Sequence, residues 1–534
     1  MTRTHDPQQD DRSSPDRGDA NSGPTPARPK RSCWIGLTLG PIFAVLVFLL
    51  IPPLQFDQSG SVIGGLSHAG RAIAAVGALM AVLWVTEAIP IAGTALIPIA
   101  LFPLVTGDEV SIKAATAPYG DRLIFLFMGG FMLALAMQQW GLHRRIALHT
   151  ILLIGTRPIA LVAGFMVASA MLSMWVSNTA TVVMMLPIAL SVIELVRRVL
   201  RATGDPACPA EGQPFNFAIC LMLGTAYAAS IGGIGTLIGT PPNLLLAAFL
   251  EEQYAIQISF VRWMGVGLPL VVVFLPITWW LLAKVIFPVR LTGIPGGRDL
   301  IRKELDKQGP MSRGEWMVLI VFLLTALGWI TRPLLVKITI PGVGQPLAGL
   351  RDSGIAIAAA VLMFALPVDP KKQVFLLTWQ QARKLPWGIL ILFGGGLSLA
   401  EAVRTTGVAE FIGRSVSGFH DLPIPLLVLL ITTAVVFLTE LTSNTATTAT
   451  FLPILGAVAV GLGVSPVLLV VPMAIGASCA FMMPVATPPN AIVFGSGELT
   501  IPQMCKAGLW LNLIGIALIM LLMYGIAVHV LAIG

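Results

Sequence analysis

The pentapeptide SNTAT occurs twice, at 177–181 and at 443–447, each time inside a long apolar stretch and each time followed by Leu-Pro. The first copy sits in SMWVSNTATVVMMLPI from Ser173, the second in TELTSNTATTATFLPI from Thr439. Their apolar stretches, 157–196 and 423–462, are too long for single spans of a hydrocarbon core that takes about 20 helical residues. Both read as hairpins with a polar tip at membrane depth. A polar tip repeated there is a candidate binding site.

The composition around the hairpins agrees. Of 534 residues, 56% are hydrophobic and 11% charged, and mean hydropathy is +0.86, the profile of an all-α polytopic membrane protein. Apolar windows at 34–52, 70–89, 90–106, 122–141, 215–250, 258–287, 316–332, 353–367, 386–404, 466–495 and 507–532 give about eleven transmembrane helices beside the two re-entrant hairpins. Residues 1–32 differ: rich in Asp, Arg, Pro, Ser and Gly and without an apolar run, they are expected to be a disordered tail. Their Asp residues, and the lack of a short apolar region with a cleavage site, argue against a targeting peptide. The net charge of +7 lies in the tail and in loops flanking apolar segments, which fits membrane topology and not a nucleic-acid partner. Cys33, Cys208, Cys220, Cys479 and Cys505 show no CxxC or His-linked spacing and read as small packing residues.

Loop charge orients the hairpins, because cytoplasmic loops hold the excess of Lys and Arg. With Arg28, Lys30 and Arg31 on the cytoplasmic side, Arg144, Arg145 and Arg157 precede the first hairpin and Arg197, Arg198 and Arg201 follow it, so its open end faces the cytoplasm. The loop bearing Arg290, Arg298, Arg302, Lys303, Lys307 and Arg313 falls on the same side, as do Lys371, Lys372, Arg383 and Lys384. Arg404, Glu410, Arg414 and Asp421 precede the second hairpin and a neutral GLGVSP follows it; counting spans puts that open end outside. The hairpins enter from opposite faces. Three blocks recur in the same order: FMGGFMLALA from Phe127 with FGGGLSLAEA from Phe393, the two SNTAT strings, and GTPPNLL from Gly239 with ATPPNAI from Ala486. An inverted repeat with interrupted helices is the pattern of secondary transporters, whose substrate sits near the midplane where broken helices meet.

What a broken helix exposes sets the chemistry. Reversal of the chain at each SNT leaves helix N–H groups and carbonyls without intrahelical partners, which is tolerated only inside protein or beside water. The N–H ends suit an anion and the carbonyl ends suit Na⁺. Asn178 and Asn444 can donate an amide N–H to a carboxylate, and Thr179 and Thr445 a hydroxyl. The TPP strings at Thr240 and Thr487 break their spans and free upstream carbonyls. A single SNT could merely bridge packed helices; two symmetric copies, each paired with a TPPN, point to a site.

These residues resemble the divalent anion/sodium symporters, a family that carries di- and tricarboxylates or sulfate. The matching strings are WVTEAIPIAGTALIP from Trp84, SMWVSNTATVVMMLP from Ser173, GTPPN from Gly239, TELTSNTATTATFLP from Thr439 and SCAFMMPVATPPNAIV from Ser478, and the resemblance runs from about Trp34 to the C-terminus. It implies one sodium held by Ser173, Ser177, Asn178 and the carbonyl of Gly239. A second would be held by Thr439, Thr442, Asn444 and the carbonyl of Ala486. Substrate carboxylates would meet Asn178, Thr179, Asn444, Thr445, Thr487 and Pro488. It also implies a homodimer in which a scaffold grips the bilayer and a transport domain carrying both hairpins slides as an elevator.

The chain then divides into a cytoplasmic tail (1–32), scaffold (33–120), a first transport repeat (121–287), a cytoplasmic loop with further scaffold (288–385) and a second transport repeat (386–534), in a bacterial inner membrane. By resemblance, Thr at both tips favours C4 dicarboxylates such as succinate, malate or fumarate over citrate; sulfate symport and sodium-independent exchange are the alternatives. Neither motif holds Arg or Lys, so sodium and helix ends must supply the positive charge, and sodium is expected to bind first. No Ser/His/Asp set, metal cluster or phosphate loop lies on the apolar segments, so neither an enzyme nor an organic cofactor is expected.

Ionisable residues at depth are functional by default. Glu87 ends a span before Pro90 and reads as a backbone or interface anchor, and Glu401 pairs locally with Arg404 at i+3. Glu440, three residues before Ser443, either tunes the second sodium site or braces the hairpin. His143 and His149 share no helix face and read as non-metal residues. Gly129, Gly130 and Gly394 to Gly396 either permit close helix approach or serve as a sliding or hinge element.

Overall fold

A computed structural model describes residues 31–531 apart from 57–61, 108, 204–212, 292, 294–295 and 416–421. Most of the expected tail, Cys208 and Asp421 lie outside the described residues. Helices α1 (Arg31–Leu50) and α2 (His68–Thr86) pack on each other and are joined through a short antiparallel ribbon, β1 (Gln55–Phe56) with β2 (Val62–Gly64). Next come α3 (Ile91–Thr94), α4 (Ile97–Thr106), α5 (Ile112–Thr116), α6 (Arg122–Gln139) and α7 (Leu142–Ile154). The first hairpin is α8 (Pro158–Ser173) and α9 (Asn178–Thr203), followed by α10 (Asn216–Gly233) and α11 (Pro241–Tyr254).

The middle of the chain forms α12 (Phe260–Trp280), α13 (Gly297–Asp306), α14 (Arg313–Leu335) and α15 (Asp352–Ala365). A second ribbon, β3 (Pro367–Asp369) with β4 (Val374–Phe375), and α16 (Trp379–Ala382) lead to α17 (Trp387–Thr405) and α18 (Val408–Ser415). The second hairpin is α19 (Ile424–Leu438) and α20 (Asn444–Gly461). After it come α21 (Val467–Ala477), α22 (Pro488–Phe494), α23 (Ile501–Leu522) and α24 (Val528–Leu531).

Among the described residues, 10 helices are long and apolar enough to cross a membrane. Two of these are the second arms of the hairpins, α9 and α20, and the others fall in windows read from the sequence. The windows at 90–106 and 353–367 hold shorter apolar helices. Those at 215–250 and 466–495 are each divided in two. α10 stops at Gly233 and α11 starts at Pro241; α21 stops at Ala477 and α22 starts at Pro488. The cause is local: Thr240 and Thr487 adopt extended backbone just before two prolines that occupy the first helical turn and donate nothing. Start signals elsewhere are equally local, with Ser312/Glu315 and Thr500/Gln503 closing capping boxes at α14 and α23.

The two halves interlock. α8 packs on α10 and α9 on α22, while α19 packs on α21 and α20 on α11. Each hairpin thus grips the first half of its own broken helix and the second half of the other. α10 meets α22 and α11 meets α21.

Ion pairs group the loops by end. Arg144 with Glu304 (2.8 Å), Arg145 with Glu315 (2.7 Å) and Arg197 with Glu498 (2.5 and 2.7 Å) gather the open end of the first hairpin, the 290–313 loop and the turn after α22. Arg404, Glu410 and Arg414 instead line a cavity of about 760 Å³ with Leu66, Tyr254 and Val460, at the open end of the second hairpin. The polar tips are not part of this cavity.

Glycines set the spacing of α6 and α17. A Cβ on Gly129 would stand 2.6 Å from the backbone of Ala356 on α15, and one on Gly395 would stand 2.7 Å from the Cα of Ala95. Gly130 faces Ile238 inside the first helix break, with its Cβ position 3.2 Å away. Close approach accounts for these positions.

Candidate functional site

Each hairpin tip is closed by a hydrogen bond from a hydroxyl to Asn. The Ser173 hydroxyl donates to Asn178 Oδ1 at 2.5 Å, and the Thr439 hydroxyl to Asn444 Oδ1 at 2.8 Å. The single Thr439 proton is shared with the carbonyl of Ala477 at 3.0 Å, which ties the tip to the end of α21. Ser173 and Thr439 are fully buried, and Asn178 and Asn444 are half-buried first residues of α9 and α20. The Ser177 hydroxyl accepts from the N–H of Ala180 at 3.3 Å and so caps α9.

The helix breaks face these tips. Asn178 lies directly against Gly233, where a Cβ would stand 2.6 Å from its Oδ1, and a Cβ on Gly239 would stand 3.0 Å from the Cα of Gly233. Ser173, Asn178, Gly233 and Gly239 therefore converge. Among the described residues no N–H donates to the carbonyl of Gly239 or of Ala486, because the following prolines have none and the N–H groups of Asn243 and Asn490 bond to Thr240 and Thr487. At the first break this puts a free carbonyl near an oxygen-bearing tip, a cation-type donor set.

The residues expected to meet substrate differ in exposure. Thr179 and Pro488 are exposed, Thr445 is half-buried and Thr487 is buried. Thr487 Oγ1 accepts from the Asn490 N–H at 3.3 Å and so caps α22. Thr442 is buried: its hydroxyl donates to the Leu438 carbonyl at 3.0 Å and lies 2.7 Å from Thr447 Oγ1.

Glu440 braces the second break. Its Oε1 accepts from the N–H groups of Phe481 (2.7 Å) and Met482 (2.9 Å) and from Asn512 Nδ2 (2.7 Å). Its Oε2 accepts from Met482 and Met483, both at 3.0 Å. The buried carboxylate thus binds the unwound chain between α21 and α22 to the hairpin tip and to α23. Glu401 pairs with Arg404 at 2.6 and 3.0 Å, as the spacing indicates. The Nδ1–H groups of His143 and His149 donate to the carbonyls of Met137 (3.1 Å) and Arg145 (2.8 Å).

Sequence reasoning passed over several residues that hold the breaks. Thr236 donates to the carbonyl of Met174 at 2.5 Å, and Trp263 Nε1 to that of Ile234 at 2.8 Å. Asn243 and Asn490 reach back into the loops that precede them. The signal for the last two was present as the final letter of both TPPN strings.

Interlocked inverted repeats with two broken helices and two polar hairpin tips define a membrane transporter of the secondary type, and not an enzyme. The family model for the sodium:sulfate symporter transmembrane region matches residues 37–531, and the chain belongs to that family. It is 42% identical over 500 residues to the sodium-dependent dicarboxylate transporter SdcS of Staphylococcus saprophyticus, covering 93% of this chain and 92% of that one. To SdcS of Staphylococcus aureus strain MRSA252 it is 43% identical over 500 residues, with the same coverage. Among solved structures it is similar in fold to the YdaH transporter of Alcanivorax borkumensis (TM-score 0.53, 14% identity) and to MtrF of Neisseria gonorrhoeae (TM-score 0.55, 15% identity). Each covers 92% of this chain, and 96% of the solved chain is matched.

Proposed function

We propose that this protein imports small dianions, C4 dicarboxylates foremost, by sodium symport across a bacterial plasma membrane, with its N-terminus cytoplasmic. The observation that carries the reading is the twin arrangement of a hydroxyl bonded to Asn at each tip (Ser173–Asn178, Thr439–Asn444) facing a helix break whose carbonyl, Gly239 or Ala486, is free of N–H donors. The names of the SdcS relatives support both the sodium and the dicarboxylate. One sodium is assigned to Ser173, Ser177, Asn178 and Gly239, and the second to Thr439, Thr442, Asn444 and Ala486. Substrate carboxylates are assigned to Asn178, Thr179, Asn444, Thr445, Thr487 and Pro488.

The site offers no cationic side chain, so sodium binds first and completes the field that holds the dianion. A tenfold sodium gradient supplies about 1.4 kcal/mol per ion, and each net charge moved gains about 2.3 kcal/mol per 100 mV. Two sodium ions with one dianion move no net charge. The hairpins are re-entrant and travel with the broken helices as one transport unit, an elevator, against the remaining helices of a homodimer.

The test is uptake into proteoliposomes of succinate, citrate and sulfate, each with and without an inward sodium gradient at fixed potential. Sodium-driven succinate uptake that exceeds the other two is the expected result. Robust uptake with choline in place of sodium would overturn symport, and preference for sulfate would overturn the substrate class.

A further inference from the structure

The two loops at the helix breaks are held from within by the same residue type. In the first, Nδ2 of Asn243 donates to the carbonyls of Gly233 (3.0 Å), Ile234 (3.4 Å) and Thr236 (2.8 Å). In the second, Nδ2 of Asn490 donates to the carbonyls of Ala480 (3.2 Å) and Met483 (3.1 Å). Both side chains are fully buried, and both stand third in the helix that restarts after the break, behind two prolines. The pattern recurs in halves of the chain that share little other sequence at the loops, GIGTLIGT against SCAFMMPVAT.

We propose that Asn243 and Asn490 are positioning residues for sodium coupling: by tying carbonyls of each loop to the restarted helix they fix the loop's course and so hold the carbonyl of Gly239 or Ala486 in place for the cation. This rests on the sodium assignment made above. The physical reason is preorganisation. A non-helical loop at membrane depth carries several carbonyls that would each seek a cation or water. An amide NH₂ has two protons and can engage two or three of them at once, a task that neither a carboxylate nor an apolar residue can perform. With the loop fixed in this way, sodium meets a carbonyl already in position, and little ordering is left to be done on binding.

The geometry of Gly233 supports the same division of roles. Its carbonyl accepts from Asn243, while its α-carbon lies against Asn178 on the tip. The loop is therefore registered between the restarted helix and the hairpin. In the second loop the carbonyls of Ala480 and Met483 accept from Asn490 while the N–H groups of residues 481–483 donate to Glu440, so the backbone is held by both its acceptors and its donors.

The decisive substitutions are Asn243→Asp and Asn490→Asp, which keep the shape but turn both donors into acceptors against carbonyls, and Asn243→Ser and Asn490→Ser, which keep one donor. Purified wild type and variants are compared in proteoliposomes by titrating sodium at saturating succinate. In parallel, the sodium concentration for half-maximal thermal stabilisation in detergent is measured, which needs no transport.

The Asp variants are expected to need about tenfold more sodium or higher, the order for losing buried hydrogen bonds, and the Ser variants roughly threefold more, with the maximal rate at high sodium kept within about threefold of wild type. Should an Asp variant fail to purify, the Ser variant decides by its thermal-stabilisation curve. An unchanged sodium requirement with a lower maximal rate or yield would reduce these residues to structural ones and overturn the proposal. Wild-type uptake that ignores sodium would instead overturn the symport reading, a separate failure visible in the control.

Discussion

The two halves of the site share a plan and differ in how they are fastened. Where the first tip has Met174 and Trp175, the second has Glu440 and Leu441. The first break presents carbonyls, and donors close it: Asn243, Trp263 Nε1 and, toward the Met174 carbonyl, Thr236. The second break turns three N–H groups inward and needs an acceptor, which Glu440 supplies as a full charge. Their outer surfaces differ as well. Trp175 packs its ring against Phe322 (4.9 Å between centroids) and Phe260 (5.9 Å), docking the first tip on α14 and α12, whereas Leu441 is 71% exposed. Symmetry of sequence at SNTAT thus hides an asymmetry of attachment: one tip is held through aromatic packing, the other through a buried anion.

The largest effect expected from this contrast is at Glu440. Glu440→Ala strands the N–H groups of Phe481, Met482 and Met483 and is expected to cost about 3–5 kcal/mol, read as loss of folded yield or a large fall in detergent melting temperature. Near-wild-type stability would show that the second break does not depend on the anion. Met174→Ala, at the equivalent position, is expected to cost much less.

Next in size is the docking of the tips. Trp175→Ala is expected to destabilise by about 2–3 kcal/mol through lost aromatic packing, while Leu441→Ala stays within about 0.5 kcal/mol. Equal melting temperatures for the two variants would erase the distinction between the tips. Smaller again, Thr445→Val is expected to weaken dicarboxylate uptake by about 1–2 kcal/mol, the order for a hydrogen bond to a charged group. Unaltered competition by succinate in that variant would remove Thr445 from the site.

The smallest expected effect is at the far end of the first hairpin. Arg197→Ala removes a two-point pair with Glu498 that is only partly shielded, with side chains 25% and 15% exposed. Its expected cost is about 1 kcal/mol or less, diminishing as salt is raised. A loss insensitive to salt would mean that the pair acts as a buried fastening. At the second hairpin, Gly413 and Gly461 meet backbone to backbone.

Much of this was legible in the chain. Hydropathy located every long helix, because a bilayer-crossing helix must be apolar over a fixed length whatever it packs against. The repeated SNTAT and TPPN strings marked the tips and breaks, because proline lacks an N–H in any context and polar residues at membrane depth need partners. The spacing of Glu401 and Arg404 foretold their pair for an equally local reason.

By hydropathy alone the windows at 215–250 and 466–495 pass as single spans, since hydropathy averages over a break; only the TPP strings at Thr240 and Thr487 mark where each divides. The fate of Glu440 stayed open because its partners lie more than forty residues away in 481–483 and on α23. Asn243 and Asn490 were visible as letters, yet which carbonyls they capture depends on how each loop folds back over the restarted helix. Composition, span positions and the polar tips were settled by the sequence alone, because they follow from local covalent chemistry and the apolar solvent around it. The interlocking of the hairpins with each other's broken helices, and the unequal fastening of the two tips, were decided only by tertiary structure, because each rests on hydrogen bonds and packing between segments far apart in the chain.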